Sequence, residues 1–429
     1  MFRVNMLKGR GGTAESVAEE GGTPLWRNRD YSLLLLGQVL SVTGSGITGI
    51  AIPLLILAIT SSPAAAGIAG ALYKVPYLVL SLPVGALIDR WDRKRVMIIC
   101  DSVRVLNMVS VAVAMLLGIV SVWHLYLVVF IDGTGFVFFN IAQAAALPRL
   151  VKKEQLPEAT AQSSVANSAA FLVGPPLGGF LYQSVGRLFP FLFDGISYLA
   201  SVITLVLIRK PFQEARITGE RRDLRAEIAE GVRWLWRQPV LRFMAFLTGG
   251  YNLVLASLYL LIILLAQARH ASEAEIGIIF SIGAAGGIVG ALIGGKIQKR
   301  FTFGQAIIGI MWVLVALFPL LALAPNFIAL AVVWAFLSVL VPVYNVVQFS
   351  YRLALIPDKL QGRVNSSFRL VGFGFQPLGS LLAGFVAEIA GPDTAIWLLF
   401  VYLIGLSMVT TLNKHVRTAP PIEQSSSAH

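Results

Sequence analysis

Apolar residues run along the chain in stretches of roughly 20, broken by short polar segments. A stretch of that length crosses the ~30 Å hydrocarbon core of a bilayer as an α-helix rising ~1.5 Å per residue. The stretches cover residues 31–59, 67–88, 96–120, 125–147, 159–182 and 189–208. After a longer break they resume at 241–267, 276–297, 303–323, 327–351, 364–389 and 394–412. Two of them, 241–267 and 364–389, contain interruptions. The pattern predicts an all-α membrane protein of twelve transmembrane helices.

Basic residues give an independent test of that count. With the N-terminus inside, the segments facing the cytoplasm hold 29 of the 34 Lys and Arg residues. Arg90, Arg93, Lys94 and Arg95 follow span two, Arg149, Lys152 and Lys153 follow span four, and Lys296, Lys299 and Arg300 follow span eight. The external segments hold only Arg187 and Arg269. Positive charge on alternate loops is what orients a chain during insertion. The expected placement is a multi-pass protein of the cell membrane with both termini cytoplasmic.

The long break divides the chain. The expected organisation is a cytoplasmic tail at 1–30, a six-helix bundle at 31–210, a linker at 211–240, a second six-helix bundle at 241–412 and a cytoplasmic tail at 413–429. In the linker, Leu224, Ile228, Val232 and Leu235 fall at helical spacing with Arg222, Arg225, Glu227, Glu230 and Arg233 opposite. That spacing predicts an amphipathic helix on the membrane surface. The halves share landmarks in the same order. Gly85-Ala86-Leu87-Ile88 returns as Gly290-Ala291-Leu292-Ile293, and Lys94-Arg95 as Lys299-Arg300. Asn167-Ser168 with Leu172-Val173-Gly174 returns as Asn365-Ser366 with Leu370-Val371-Gly372. Duplicated bundles that rock about a central cavity provide alternating access.

Composition agrees. Of 429 residues, 56% are hydrophobic and 13% charged, and the mean hydropathy is +0.77; a soluble chain carries ~25% charged residues. The net charge of +12 would suggest nucleic acid for a soluble protein, but here loop placement explains it. A single cysteine, Cys100, allows no internal disulfide, and four scattered histidines give no metal-ligand spacing. No cofactor or metal is expected.

The loop after span two reads Gly85-Ala86-Leu87-Ile88-Asp89-Arg90-Trp91-Asp92-Arg93-Lys94-Arg95. It resembles the loop signature of the major facilitator superfamily, with Asp92 where that pattern often has glycine. The Trp91-Asp92-Arg93 triplet, the opening Leu25-Trp26-Arg27-Asn28-Arg29-Asp30-Tyr31 and the segment Pro357-Asp358-Lys359-Leu360-Gln361-Gly362-Arg363 are similar to the branch holding macrolide-efflux and siderophore-export proteins. Asp89 is expected to pair with Arg93 and to face the N-terminal dipole of the helix starting near Arg363, latching the halves on the inside. Gly85, Asp89, Arg90, Arg93 and Lys94 would form this gate. In span five, Gly174-Pro175-Pro176-Leu177-Gly178-Gly179 resembles the antiporter motif of the superfamily, with Ala170 where a further glycine often stands. The resemblance implies export. Proline bends the helix and Gly174, Gly178 and Gly179 allow close approach.

Charge within the membrane is costly and marks function by default. Asp132 is the acid placed well inside a span, and Lys74 lies at similar depth; the two are expected to pair, Asp132 exchanging a proton beside Lys74. Asp101, Asp194 and Glu388 fall near span ends, and Arg104 and Arg369 are further deep cations. Asp101 and Arg104 are spaced to pair on span three. No acid stands between Asp30 and Asp89, where many proton-coupled relatives carry one. Gln38, Phe136, Phe139, Asn140, Gln143, Asn252, Tyr344, Asn345 and Gln376 fall on spans that line the cavity in the superfamily, and would form an amphipathic wall.

Two motifs are decoys. Gly290-x4-Gly295-Lys296 lacks the Ser/Thr of a phosphate-binding loop, having Ile297. Gly44-Ser45-Gly46 has no histidine base at membrane depth. The chain is therefore expected not to be an enzyme. The reading is a proton-driven exporter of small amphipathic molecules, expected to be monomeric, with its substrate, protons and lipid as partners and no nucleic acid. The alternatives are an exporter of one metabolite, such as a siderophore or a lipid, and a transporter-like sensor or scaffold without flux.

Overall fold

The computed structural model describes residues 24–213, 224–357 and 360–419. Arg216, Arg221 and Arg222 of the linker, Asp358-Lys359, and most of both tails lie outside the described residues, as do the side chains of Leu224, Arg225, Glu227 and Ile228.

Six long helices come first: α1 (Arg29–Thr60), α2 (Pro63–Ile88), α3 (Arg93–Leu116), α4 (Val122–Leu150), α5 (Leu156–Phe180) and α6 (Phe189–Leu207). The linker carries α7 (Leu224–Arg237). The second set is α8 (Pro239–Ala268), α9 (Glu273–Arg300), α10 (Phe303–Leu317) continued by α11 (Pro319–Leu323), α12 (Phe327–Leu355), α13 (Gln361–Gly374) continued by α14 (Gln376–Ala390), and α15 (Pro392–Leu412). A final turn, α16 (Lys414–Arg417), ends the described chain. Eleven of these spans are long and apolar enough to cross a membrane. The twelfth, α5, is diluted by Thr160, Gln162, Ser163, Ser164, Asn167 and Ser168. The chain is an all-α, multi-pass membrane protein with two pseudo-symmetric sets of six spans.

Helix starts follow from short polar side chains that accept a hydrogen bond from an orphan backbone N–H. Asn28 caps α1, Ser62 caps α2, Asp92 caps α3, Ser121 caps α4 and Asn326 caps α12. Ser272 with Glu275, and Thr302 with Gln305, form reciprocal capping boxes on α9 and α10. Two spans break just before a proline that cannot continue the ladder: 303–323 at Phe318, before Pro319, and 361–390 at Phe375, two residues before Pro377. The interruption expected in 241–267 is a correction, since α8 runs unbroken there.

The duplication is visible in the packing. In the first half α1 lies against α5 and α6, α2 against α4, and α3 against α4 and α6. In the second half α8 lies against α14 and α15, α9 against α12, and α10 against α12 and α15. Glycine brings α9 onto α12: a Cβ at Gly286 would stand 2.3 Å from the Ala335 carbonyl oxygen, and one at Gly290 would stand 2.2 Å from that of Val339. The helix α7 rests on the second half, with Gly231 against the Arg363 backbone and Glu230 paired with the Arg363 guanidinium.

Candidate functional site

The two halves meet along two seams that are related by the same pseudo-symmetry. One joins α2 to α14; the other joins α5 to α9. Both seams lie toward the end of the molecule remote from the basic loops. On the first, a Cβ at Gly67 would meet the Ser380 carbonyl oxygen at 2.6 Å, and one at Gly384 would meet that of Pro63 at the same distance. There Glu388 of α14 accepts hydrogen bonds from the Ser62 hydroxyl and from the Ala64 N–H, the latter at 2.9 Å, so a carboxylate from one half caps a helix of the other. On the second seam, Gln183 accepts from the Ala274 N–H at 3.0 Å, and the Ser281 hydroxyl donates to the Leu172 carbonyl at 2.6 Å.

The glycine-proline segment of α5 forms the core of that second seam. A Cβ at Gly174 would be 3.0 Å from the Gly46 Cα, and one at Gly178 would be 2.7 Å from the Ile47 carbonyl oxygen, both on α1. A Cβ at Gly179 would be 2.1 Å from the Glu273 carbonyl oxygen on α9, and Gly277 lies against Pro175 and Pro176. Each glycine admits the backbone of a neighbouring helix where any side chain would collide.

Toward the basic end the seams part. Between α2 and α13, the continuation of α14, the contacts end with the Arg369 guanidinium donating to the Tyr77 hydroxyl, and with Leu78 against Gly374. Beyond them Gly85 and Gly362 have open space around them. The molecule is clasped at one end and opens as a cleft at the other.

The loop after α2 sits on the open side. Asp89 is 77% exposed and its ionic partner is Arg93, at 3.8 Å. Arg93 also donates to the Ala145 carbonyl at 2.8 Å and the Phe212 carbonyl at 3.3 Å; Lys94 donates to the carbonyls of Ile208 at 2.7 Å and Val206 at 3.2 Å. These two cations hold the ends of α4 and α6 within the first half. Arg90 is exposed. The expected latch from Asp89 to the helix near Arg363 is not engaged, since Arg363 is paired with Glu230.

The expected wall residues divide. Phe136, Asn140 and Asn345 are exposed, and Gln143 and Gln376 are partly so. Phe136 packs on Tyr73 with ring centroids 6.2 Å apart. Gln38 and Asn252 are buried tie points: Gln38 donates to Asn167 at 3.0 Å, and Asn252 donates to the Gly372 carbonyl at 2.8 Å. Phe139 and Tyr344 are corrections. Phe139 is 6% exposed in the first-half core, and Tyr344 is 1% exposed, its ring tilted by 30° against Tyr251 and its hydroxyl hydrogen bonded to Thr248 at 2.8 Å. Helix rotation decides such placements, and it turns both rings away from the cleft.

The expected Asp132–Lys74 pair is also corrected. Lys74 donates to Ser380 at 2.6 Å across the seam. Asp132 takes the Arg104 Nε at 2.7 Å, with the Tyr198 hydroxyl donating to the same oxygen at 3.3 Å. Arg104 lies 4.0 Å from the Tyr198 ring centroid and 3.7 Å from Asp101, the anticipated local partner. Behind this pair is Asp194, fully buried, accepting from the Thr48 hydroxyl at 2.6 Å and the Ser197 hydroxyl at 3.2 Å. Two carboxyl groups thus share one guanidinium inside the first half, and the third, Asp194, is held by hydroxyls alone. Asp194 was missed because it lies close to the start of α6. The stripe Asp194, Ser197, Ser201 and Thr204, all on one buried face, was the available signal.

Twin six-span sets meeting at two symmetric seams and parted at one end define a membrane transporter. The chain belongs to the Major Facilitator Superfamily, whose sequence profile matches residues 34–301 and 251–428. It is 27% identical over 410 residues to the multidrug efflux pump Tap of Mycolicibacterium fortuitum, covering 90% of this chain and 96% of that one. It is 28% identical to macrolide efflux protein A of Streptococcus pyogenes, over 91% of this chain and 97% of that protein. It is 25% identical to the enterobactin exporter EntS of Shigella boydii, over 92% and 96%. Among solved structures, a bacterial homologue of the human lysosomal transporter Spinster in an inward-facing, unoccupied conformation superimposes with a TM-score of 0.73 at 14% identity, covering 94% of this chain and 99% of that one. A bacterial homologue of the iron transporter ferroportin, also inward-facing, gives 0.69 at 18% identity, over 90% and 100%.

Proposed function

We propose that this transporter exports small amphipathic molecules by alternating access, driven by inward proton movement. The observation that carries the reading is the asymmetry of the two ends: the halves are clasped across α2–α14 and α5–α9 and parted where the basic loops lie. Basic loops are retained on the cytoplasmic side. With that orientation both termini are cytoplasmic, the conformation is inward-open, and Asp89, paired only within its own loop with Arg93, is a latch waiting for the opposite state. The efflux proteins it resembles, and the Gly174–Gly179 segment at the seam, support export over uptake.

Coupling is assigned to the buried cluster in the first half. One guanidinium offsets one carboxylate, so with Asp101, Asp132 and Asp194 together a proton is the natural further counter-charge. Asp132 holds Arg104, and Asp194 has only hydroxyl donors, which suits it to gain and lose that proton. The cluster abuts α1 through Thr48 and Ser45, the helix against which the glycine-proline segment packs, so a change of charge there bears directly on the seam.

The test is a deletion strain profiled against a panel of antibiotics and dyes, with reconstituted protein assayed for substrate-driven proton movement. Broad sensitisation and proton flux are expected. Absence of flux for every compound in proteoliposomes removes the export reading.

A further inference from the structure

We propose that the cleft is a binding track for amphipathic organic anions: molecules with an aromatic or aliphatic body and a carboxylate, sulfonate or enolate head. The inference rests on the export reading and names its substrate class.

Two cations, Arg369 and Lys74, lie along the contact between the halves, and a third, Arg352, is buried behind Phe368; none has an acidic partner among the described residues. Arg352, near the end of α12, lies 4.3 Å from the Phe368 ring centroid and 5.2 Å from that of Phe349. It is 6% exposed, and its Nε has no hydrogen-bond partner. Arg369, the neighbour of Phe368, is exposed at the last contact between the halves, 5.7 Å from the Tyr77 ring centroid and 5.8 Å from that of Phe373. Lys74 stands one turn further along α2 and has a neutral hydroxyl, Ser380, as its partner.

The other arginines near the membrane are treated differently. Arg104 is paired with Asp132, Arg269 with Asp393, Arg93 with Asp89 and Arg363 with Glu230. The acids that enter spans are committed elsewhere: Asp101 and Asp132 pair with Arg104, Asp194 accepts from the Thr48 hydroxyl, and Glu388 caps α2 at the clasped end. A cation kept at depth without a carboxylate is costly unless something anionic visits it. The three also lie at increasing depth. At ~1.5 Å per residue, Arg352, Arg369 and Lys74 are ~5, ~12 and ~21 Å in from the open ends of their helices. Guanidinium groups suit planar anionic heads, and the flanking Tyr77, Phe368 and Phe373 suit an apolar body. The arrangement disfavours lipophilic cations, which would meet like charge at each step.

The experiment uses the intact protein in nanodiscs of neutral phosphatidylcholine, with empty nanodiscs as blank. Fluorescein, an aromatic dianion, and rhodamine 6G, an aromatic cation, are titrated by fluorescence anisotropy. Fluorescein should bind at least tenfold more tightly. K74Q and R369Q should each weaken it at least fivefold with unchanged melting temperature, while K74R stays within twofold of the parent. Equal or tighter binding of rhodamine 6G, or fluorescein binding untouched by both Gln variants, overturns the proposal; if K74Q fails to fold, the exposed Arg369 decides. Flux of the same dyes in proteoliposomes separates the two readings. Fluorescein binding without flux of any compound removes export and leaves the site, whereas rhodamine flux without fluorescein binding removes the site and leaves export.

Discussion

At the residue scale, the buried ionic groups have different tasks, and substitution should tell them apart. Asp132 neutralises Arg104 directly at 2.7 Å. Asp132→Asn leaves a buried guanidinium facing only the more distant Asp101, and removing one partner of a buried pair costs about 3–5 kcal/mol. A clear fall in melting temperature, with loss of proton movement, is the expected result. Asp194 has hydroxyl donors and no ionic partner, so Asp194→Asn nearly preserves shape and hydrogen bonding. Its melting temperature should shift by less than 3 °C while substrate-driven proton movement falls at least tenfold, read with a pH-sensitive dye in proteoliposomes. Normal coupling in Asp194→Asn moves the proton site off this carboxyl.

The depth of Asp132 was readable from its place in an apolar run; its partner was not. Pairing across helices depends on how each helix is rotated about its axis, which spacing along one segment does not specify. Lys74 and Asp132 share a depth but face different neighbours. Arg104, by contrast, was readable as a partner of Asp101 because i,i+3 residues on one helix lie on the same face. Phe139 and Tyr344 were misplaced for the same rotational reason, since both sit on spans whose opposite faces are exposed.

At the scale of helices, glycine sets how closely the halves approach. A Cβ at Gly179 would stand 2.1 Å from the Glu273 carbonyl oxygen, whereas Gly295 has open space around it. Gly179→Val should prevent α5 from closing on α9. Transport is expected to drop to background while the protein still inserts, and a cysteine at Ser281 should become reactive to membrane-impermeant maleimide from outside. Gly295→Ala should leave transport within twofold. A Gly179→Val protein with full transport would mean that the seam is not a gate.

Spans, caps and breaks were legible because each has a local cause: apolar length, a Ser, Thr, Asn or Asp cap, or a proline. Of the seams, only α5–α9 was legible, as the motif Gly174–Gly179, without the surface it meets. The trans cap from Glu388 onto α2 joins residues 326 positions apart, and nothing in either segment announces the other. Glu388→Gln keeps hydrogen bonding but removes charge from the α2 N-terminus, where a carboxylate contributes about 0.3–1 kcal/mol. The variant should shift the balance toward the outward-open state, measured as faster maleimide labelling at Ser62→Cys.

At the scale of the whole molecule, two six-helix sets repeat the same packing, and their seams exchange equivalent helices. Such a body has two ways to close, one at each end. The seams observed here account for one; the other is expected to bring Asp89 toward the start of α13, freeing Glu388 and Gln183. Orientation follows from the same picture. Lys210→Cys should be labelled by an impermeant maleimide in inverted membrane vesicles and not in intact cells, whereas Ser62→Cys should behave in reverse.

Alternating access is tested most directly by electron–electron spin distances at both ends of one protein, with native Cys100 replaced by alanine. One label pair bridges the clasped end at Ser62 and Glu388; the other bridges the basic loops at Asp89 and Arg363. On imposing a proton gradient with substrate, the first distance should lengthen as the second shortens, each by several ångströms. Distances that stay fixed, or that lengthen and shorten together, contradict a rocking transporter.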